Sequence, residues 1–138
     1  MERFLAPLSP YLYAILRIVA GIMFAMHGSQ KLFGIPGDKD PVELASLMGV
    51  AGVIELVGGI LIAIGLFASI AAFICSGQMA VAFFMSHFPQ GWNPLLNGGE
   101  LSVLYCFLFL YIASRGAGIW SLDSLLSKTK RKDSHRFA

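Results

Sequence analysis

The stretch YLYAILRIVAGIMFAMHGSQKLF, residues 11–33, decides the fold, because it is long and oily enough to cross a bilayer and still carries Arg17, His27 and Lys31. A membrane-spanning helix needs roughly 20 predominantly apolar residues. An ionisable group placed in hydrocarbon costs at least about 2.5 to 3.5 kcal/mol on insertion scales, so these three need partners, water or a task. Arg17, Gly21, Phe24, Gly28 and Lys31 recur at steps of four and three and therefore share one helical face, with His27 on its border. Glycines on that face let another backbone approach closely, which turns it toward neighbouring helices and the charges away from lipid.

Working outward, three more apolar runs follow at 48–67, 68–88 and 101–114. Of 138 residues, 57% are hydrophobic and 13% charged, and the mean hydropathy of +0.72 excludes an ordinary soluble domain. The expected fold is all-α, an integral membrane four-helix bundle. The second and third runs meet without a polar linker, so a tight turn is expected near 65–69. The fourth is short for a span and is expected to borrow Gly99 and Glu100 or to sit where the bilayer thins. Asp40, Pro41 and Glu43 read as a helix start, which predicts a short interfacial helix after the first span. Two prolines, three glycines and Trp92 in 89–99 predict a structured turn at headgroup level. Residues 119–126, with Trp120, form a short amphipathic stretch expected on the membrane surface. The chain thus divides into a membrane domain, 1–127, and a basic tail, 128–138, holding Lys128, Lys130, Arg131, Lys132 and Arg136.

Four spans place both termini on one side, together with Arg3, Arg115 and the tail. The other side carries Lys39 against Asp38, Asp40, Glu43 and Glu100. The positive-inside rule then predicts cytoplasmic termini in a multi-pass inner-membrane protein. One basic tail on an oily bundle offers no surface for reading nucleic acid, so membrane lipid is the expected partner.

Glu55 lies among Gly52, Gly58 and Gly59 on the second span, and a lone carboxylate there requires a cation or a proton. With the termini inside, His27, Lys31, Glu55, His87 and Glu100 converge on the outer half of the bundle, and Gln78 sits near mid-depth. Arg17 stands apart in the inner third, where its stem would snorkel to headgroups or, with close helix packing, reach Glu55. A purely structural use competes with a site, since buried ion pairs also fix helix register; Lys31, His87 and Glu100, near span ends, fit that use best. His27 and His87 lack metal-ligand spacing, so no metal centre is expected. Cys75 and Cys106 form no CxxC and read as packing residues at depths too different for a disulfide. The glycines at 49, 52, 58 and 59 lie within an apolar helix and form no dinucleotide fingerprint.

LRIVAGIMFAMHGSQKLFG at 16–34, IELVGGILIAIGLF at 54–67 and NGGELSVLYCFLFLYIASRGAGIWSLDSLL at 97–126 together make the chain resemble the DoxX family of small bacterial and archaeal membrane proteins. The resemblance implies a four-helix inner-membrane protein and an oxidoreductase, or a subunit of one, linked to quinone, thiosulfate or thiol oxidation and to resistance against oxidants. On that footing the outer half binds a quinone or another small redox-active ligand. Glu55 would shuttle a proton, and His27 or Lys31 would hydrogen-bond the ligand oxygen. Gln78 would orient the head group, Arg17, His87 and Glu100 would complete the binding set, and Phe24, Phe83 and Phe84 would flank the ring. Two other readings remain open: a scaffold docking a soluble redox enzyme at the cytoplasmic face through Trp120, Asp123 and the tail, with homo-oligomers possible, and a small-solute or proton transporter using Glu55 and Lys31.

Overall fold

The computed structural model describes residues 1–134, with side chains to residue 129; Arg136 of the basic tail lies outside the described residues. Helix α1, Ser9–Phe33, has Pro10 in its first turn, where a missing N–H costs nothing, and stops at Gly34, whose φ of 71° few other residues adopt. Helix α2, Leu47–Ile64, starts on Ser46, whose hydroxyl accepts from the Gly49 amide, and ends at Gly65 with φ 70°. Helix α3, Ala68–Ala82, runs on into a π-helical turn, Phe83–His87. Helix α4 spans Glu100–Arg115 and α5 spans Leu122–Ser134.

Three stretches, Glu2–Phe33, Leu47–Ile64 and Ala68–Gln90, are long and apolar enough to cross a membrane. Helix α4 has 16 residues, a rise of about 24 Å, less than the roughly 30 Å of a hydrocarbon core. It packs along α3, α3 along α2, and α2 along α1. Phe24 closes the ring by meeting Tyr105 and Phe109 of α4, at centroid distances of 5.2 and 4.7 Å. Buried Ile62, Ala72, Cys75 and Ile112 complete the core, while Val19, Ile22, Val57, Ile60, Phe73 and Phe107 stay exposed on the outside, as hydrocarbon solvent permits. The result is an all-α membrane bundle, as the apolar runs predict.

Glycine sets the closest approach. A Cβ at Gly21 would lie 2.6 Å from the Gly59 carbonyl oxygen, and one at Gly59 would lie 2.6 Å from that of Gly21. Seven residues further along α1, a Cβ at Gly28 would meet the Gly52 oxygen at 2.6 Å. Helices α1 and α2 are therefore in backbone contact at two levels.

The end of the bundle nearest the termini is tied by polar groups. Arg17, with none of its surface exposed, donates to the carbonyls of Ile62 and Ala63, each at 2.6 Å, and to that of Trp120 at 2.7 Å. The Asp123 carboxylate accepts from the amides of Phe67 and Ala68, and the Asp123 amide donates to Gly65 O. Asp123 thereby caps the start of α3 and holds Phe67 at a φ of 48°. The tight turn expected near 65–69 is present, locked by a residue 55 positions downstream.

Four expectations are corrected. No interfacial helix starts at Asp40: the Val42 amide, which would open its first turn, donates instead to Lys31 O, and α2 begins only after Ser46. Arg17 does not snorkel, because the last carbonyls of α2 and the 119–120 segment accept from its guanidinium. Cys106 is not at a remote depth, since its carbonyl accepts from the hydroxyl of Ser76, the neighbour of Cys75. Both thiols are free. The amphipathic segment also begins later than 119 and forms α5, capped by Ser121, whose hydroxyl accepts from the Ser124 amide.

Candidate functional site

At the far end of the bundle the helices part around a cavity of about 570 Å³. Its wall takes His27 and Lys31 from α1, Glu55 from α2, Gln78 from α3 and His87 from the π turn. The remainder is largely apolar, with Phe24, Ile54, Met79 and Tyr105 inside and Met48, Val50, Val81 and Met85 toward the exterior, where they are exposed. His27 and Ser86 of the wall are exposed as well.

Glu55 lies eight residues after the start of α2, about 12 Å into the helix, and only 1% of it is exposed. Its Oε1 accepts from Lys31 Nζ at 2.5 Å and from Gln78 Nε2 at 3.1 Å. Two donors, one from α1 and one from α3, thus converge on a single carboxylate oxygen. Gly52 makes this geometry possible, because a Cβ there would press on the side chains of Lys31 and Leu32 at 3.1 to 3.2 Å. Glu55 Oε2 and Gln78 Oε1 are buried and have no hydrogen-bond partner among the described residues.

His27 packs its ring edge-on to Tyr105, 6.3 Å between centroids. His87 places Nδ1 3.1 Å from the Asn97 carbonyl. Asn97 is itself buried, donating to Gly91 O and accepting from the Gly99 amide, so the loop before α4 fixes the histidine. A π turn re-aims side chains relative to an α-helix and frequently marks functional sites.

Of the residues singled out in the sequence, the cavity gathers His27, Lys31, Glu55, Gln78 and His87. Glu100 is exposed in the first turn of α4, where a carboxylate favours the free amides, and it does not line the cavity. Arg17 is at the opposite end. Phe24 lines the cavity, whereas Phe83 and Phe84 do not. Tyr105 and Ser102 do line it and were not anticipated; with Phe109 they follow a spacing of three and four along α4 that marks one inward face. Among the described residues no group of three or more His, Cys, Asp or Glu could hold a metal ion. Asp123 and Trp120, the residues a docking scaffold would use, serve the turn and the Arg17 site.

Residues 12–88, more than half of the chain, match the DoxX family. The chain belongs to the DoxX family. Relatives of this DoxX protein include an uncharacterized protein of Haemophilus influenzae, 46% identical over 86% of this chain and 93% of its own. The "Inner membrane protein YqjF" of Escherichia coli is 31% identical over 83% of this chain and 91% of its own. A Bacillus subtilis protein named "Putative oxidoreductase CatD" is 27% identical over 85% and 88%. No solved structure matches. The DoxX match covers α1, α2 and α3 with the π turn, and hence every polar residue of the cavity wall from His27 to His87.

Proposed function

We propose that the cavity takes the head group of a membrane-soluble quinone-class molecule and that the protein works as a component of an oxidoreductase system in the inner membrane. The observation that carries this reading is the buried Glu55, held by Lys31 and Gln78 at the wall of a largely apolar cavity with exposed apolar side chains at its rim. Burying a charged pair in a membrane helix is costly, and bundle register is already fixed by the glycine contacts, so the pair is better explained by a ligand. A cavity of about 570 Å³ is within the range of small-molecule sites. Phe24 and Tyr105 offer ring-on-ring contact, and His27 and Lys31 reach the oxygens of the head group. Interconversion of a quinone and its hydroquinone moves two electrons and two protons, and Glu55 and His27 are the groups placed to hold protons. The name of the Bacillus subtilis relative supports redox chemistry without identifying the electron partner. The charge asymmetry supports cytoplasmic termini and α5, with the cavity in the outer half.

The test is binding. Protein purified in mild detergent is expected to carry a quinone detectable by lipid mass spectrometry, and to rise in melting temperature when a decyl-tailed benzoquinone or its hydroquinone is added. Absence of bound quinone together with no response to either added form overturns the reading.

A further inference from the structure

We infer that the cavity is complementary to the reduced, hydroxyl-bearing form of its ligand, a hydroquinone, and discriminates against the quinone. The inference rests on the quinone-class reading above and adds which redox state the site selects.

A quinone head group presents carbonyl oxygens, which only accept hydrogen bonds. A hydroquinone presents two O–H donors. The two buried polar atoms of the cavity wall that lack a partner among the described residues are both acceptors. Glu55 Oε1 is already taken by Lys31 and Gln78, which leaves Glu55 Oε2 without a donor among the described residues. The Gln78 amide is oriented by the same contact: its Nε2 faces the carboxylate, since the reverse orientation would set oxygen against oxygen. Its Oε1 is thereby left as a second buried acceptor without a donor among the described residues. His87 Nδ1 faces the Asn97 carbonyl, which only accepts, so the histidine donates there and is not counted among the open acceptors. Lys31 is the fixed donor of the set, and one of its three N–H groups is directed at Glu55. The hydroxyls of Ser86, Ser102 and Tyr105 and the His27 ring, also in the wall, serve either role.

A buried acceptor left without a donor keeps its desolvation cost, and a ligand that brings a donor removes it. A hydroxyl donating to the Glu55 carboxylate also forms the stronger, charge-assisted kind of hydrogen bond. A quinone in the same place would oppose its oxygens to Glu55 Oε2 and Gln78 Oε1. Selecting the reduced form raises the midpoint potential of the bound couple, because the oxidised form is the less stabilised of the two.

The experiment compares decyl-tailed benzoquinone with its hydroquinone, titrated anaerobically by calorimetry into the full-length protein in detergent. The hydroquinone is expected to bind at least tenfold more tightly, equivalent to an upward potential shift of about 30 mV for a two-electron couple. Glu55→Gln replaces one acceptor by an amide and frees the Lys31 ammonium as a donor, so the ratio is expected to fall at least tenfold. Gln78→Met removes the second acceptor, leaves the ion pair in place, and is expected to narrow the ratio. Quinone binding equal to or tighter than hydroquinone in the unsubstituted protein overturns the inference while leaving the quinone-class reading intact. Binding of neither form overturns both.

Discussion

Glu55 and Arg17 are both withdrawn from the surface, and each is stabilised differently. Glu55 has a formal counter-charge, so removing one partner strands the other: Glu55→Met leaves the Lys31 ammonium facing an apolar cavity. The expected loss is about 3 to 5 kcal/mol, the usual cost of breaking a buried pair, and Lys31→Met with Glu55→Met is expected to recover most of it. Thermal unfolding of the two variants in detergent checks this, and a double variant no better than the single one rules it out. Arg17 is neutralised by carbonyl dipoles at the end of α2, where cations are favoured, and by the Trp120 carbonyl. Arg17→Met takes the donor from the Ala63 and Trp120 carbonyls, while Ile62 O keeps the Gly65 amide, and is expected to cost at least about 3 kcal/mol by the same measurement. Glu55, Lys31 and His27 were legible in the sequence because glycine-lined helical faces fixed their direction. The partners of Arg17 were not, because backbone carbonyls carry no sequence signature. Glu100 was assigned by chain position alone, and a neighbouring position on a helix is turned by 100°.

At the level of elements, the bundle is organised around the α1 and α2 pair, which is closer than side chains allow. Gly59→Val inserts a β-branched side chain where a single Cβ would already lie 2.6 Å from the Gly21 carbonyl oxygen. The helices must separate, and a loss of about 3 kcal/mol or more in thermal unfolding is expected, against little change for Gly77→Ala, which has open space around it. The helices themselves were readable from apolar runs and turn residues, since a span is defined by length and by the absence of charge. The loop from Gly34 to Ser46 was not. Asp40, Pro41 and Glu43 have helix-start chemistry, yet the free carbonyl of Lys31 captures the Val42 amide. Asp123 shows the same limit, as its cap on α3 links residues 55 positions apart. Asp123→Ala is expected to cost about 1 to 2 kcal/mol, as loss of a cap does, and to expose the 116–121 segment to protease in detergent.

Taken whole, the molecule has one end closed and one end open. Arg17, Asp123 and Ser121 tie α1, the α2 and α3 turn and the start of α5 together at the terminal end, while the opposite end contains the cavity, the π turn and a loop held by Asn97. On the proposed function this polarity gives the membrane orientation its meaning, because it would decide whether the cavity exchanges protons with the cytoplasm or with the outside. The loops near the cavity carry Asp38, Asp40, Glu43 and Glu100 against Lys39, and the terminal end carries Arg3, Arg115 and the α5 lysines. Positive residues resist translocation, so the cavity end is expected to face outward. In a background with Cys75→Ala and Cys106→Ala, Asp38→Cys is expected to react with a membrane-impermeant maleimide in intact spheroplasts. Lys128→Cys, exposed at the other end, is expected to react only after the membrane is broken. Labelling in the reverse order would place the cavity on the cytoplasmic side, and Glu55 would then take and release its proton there.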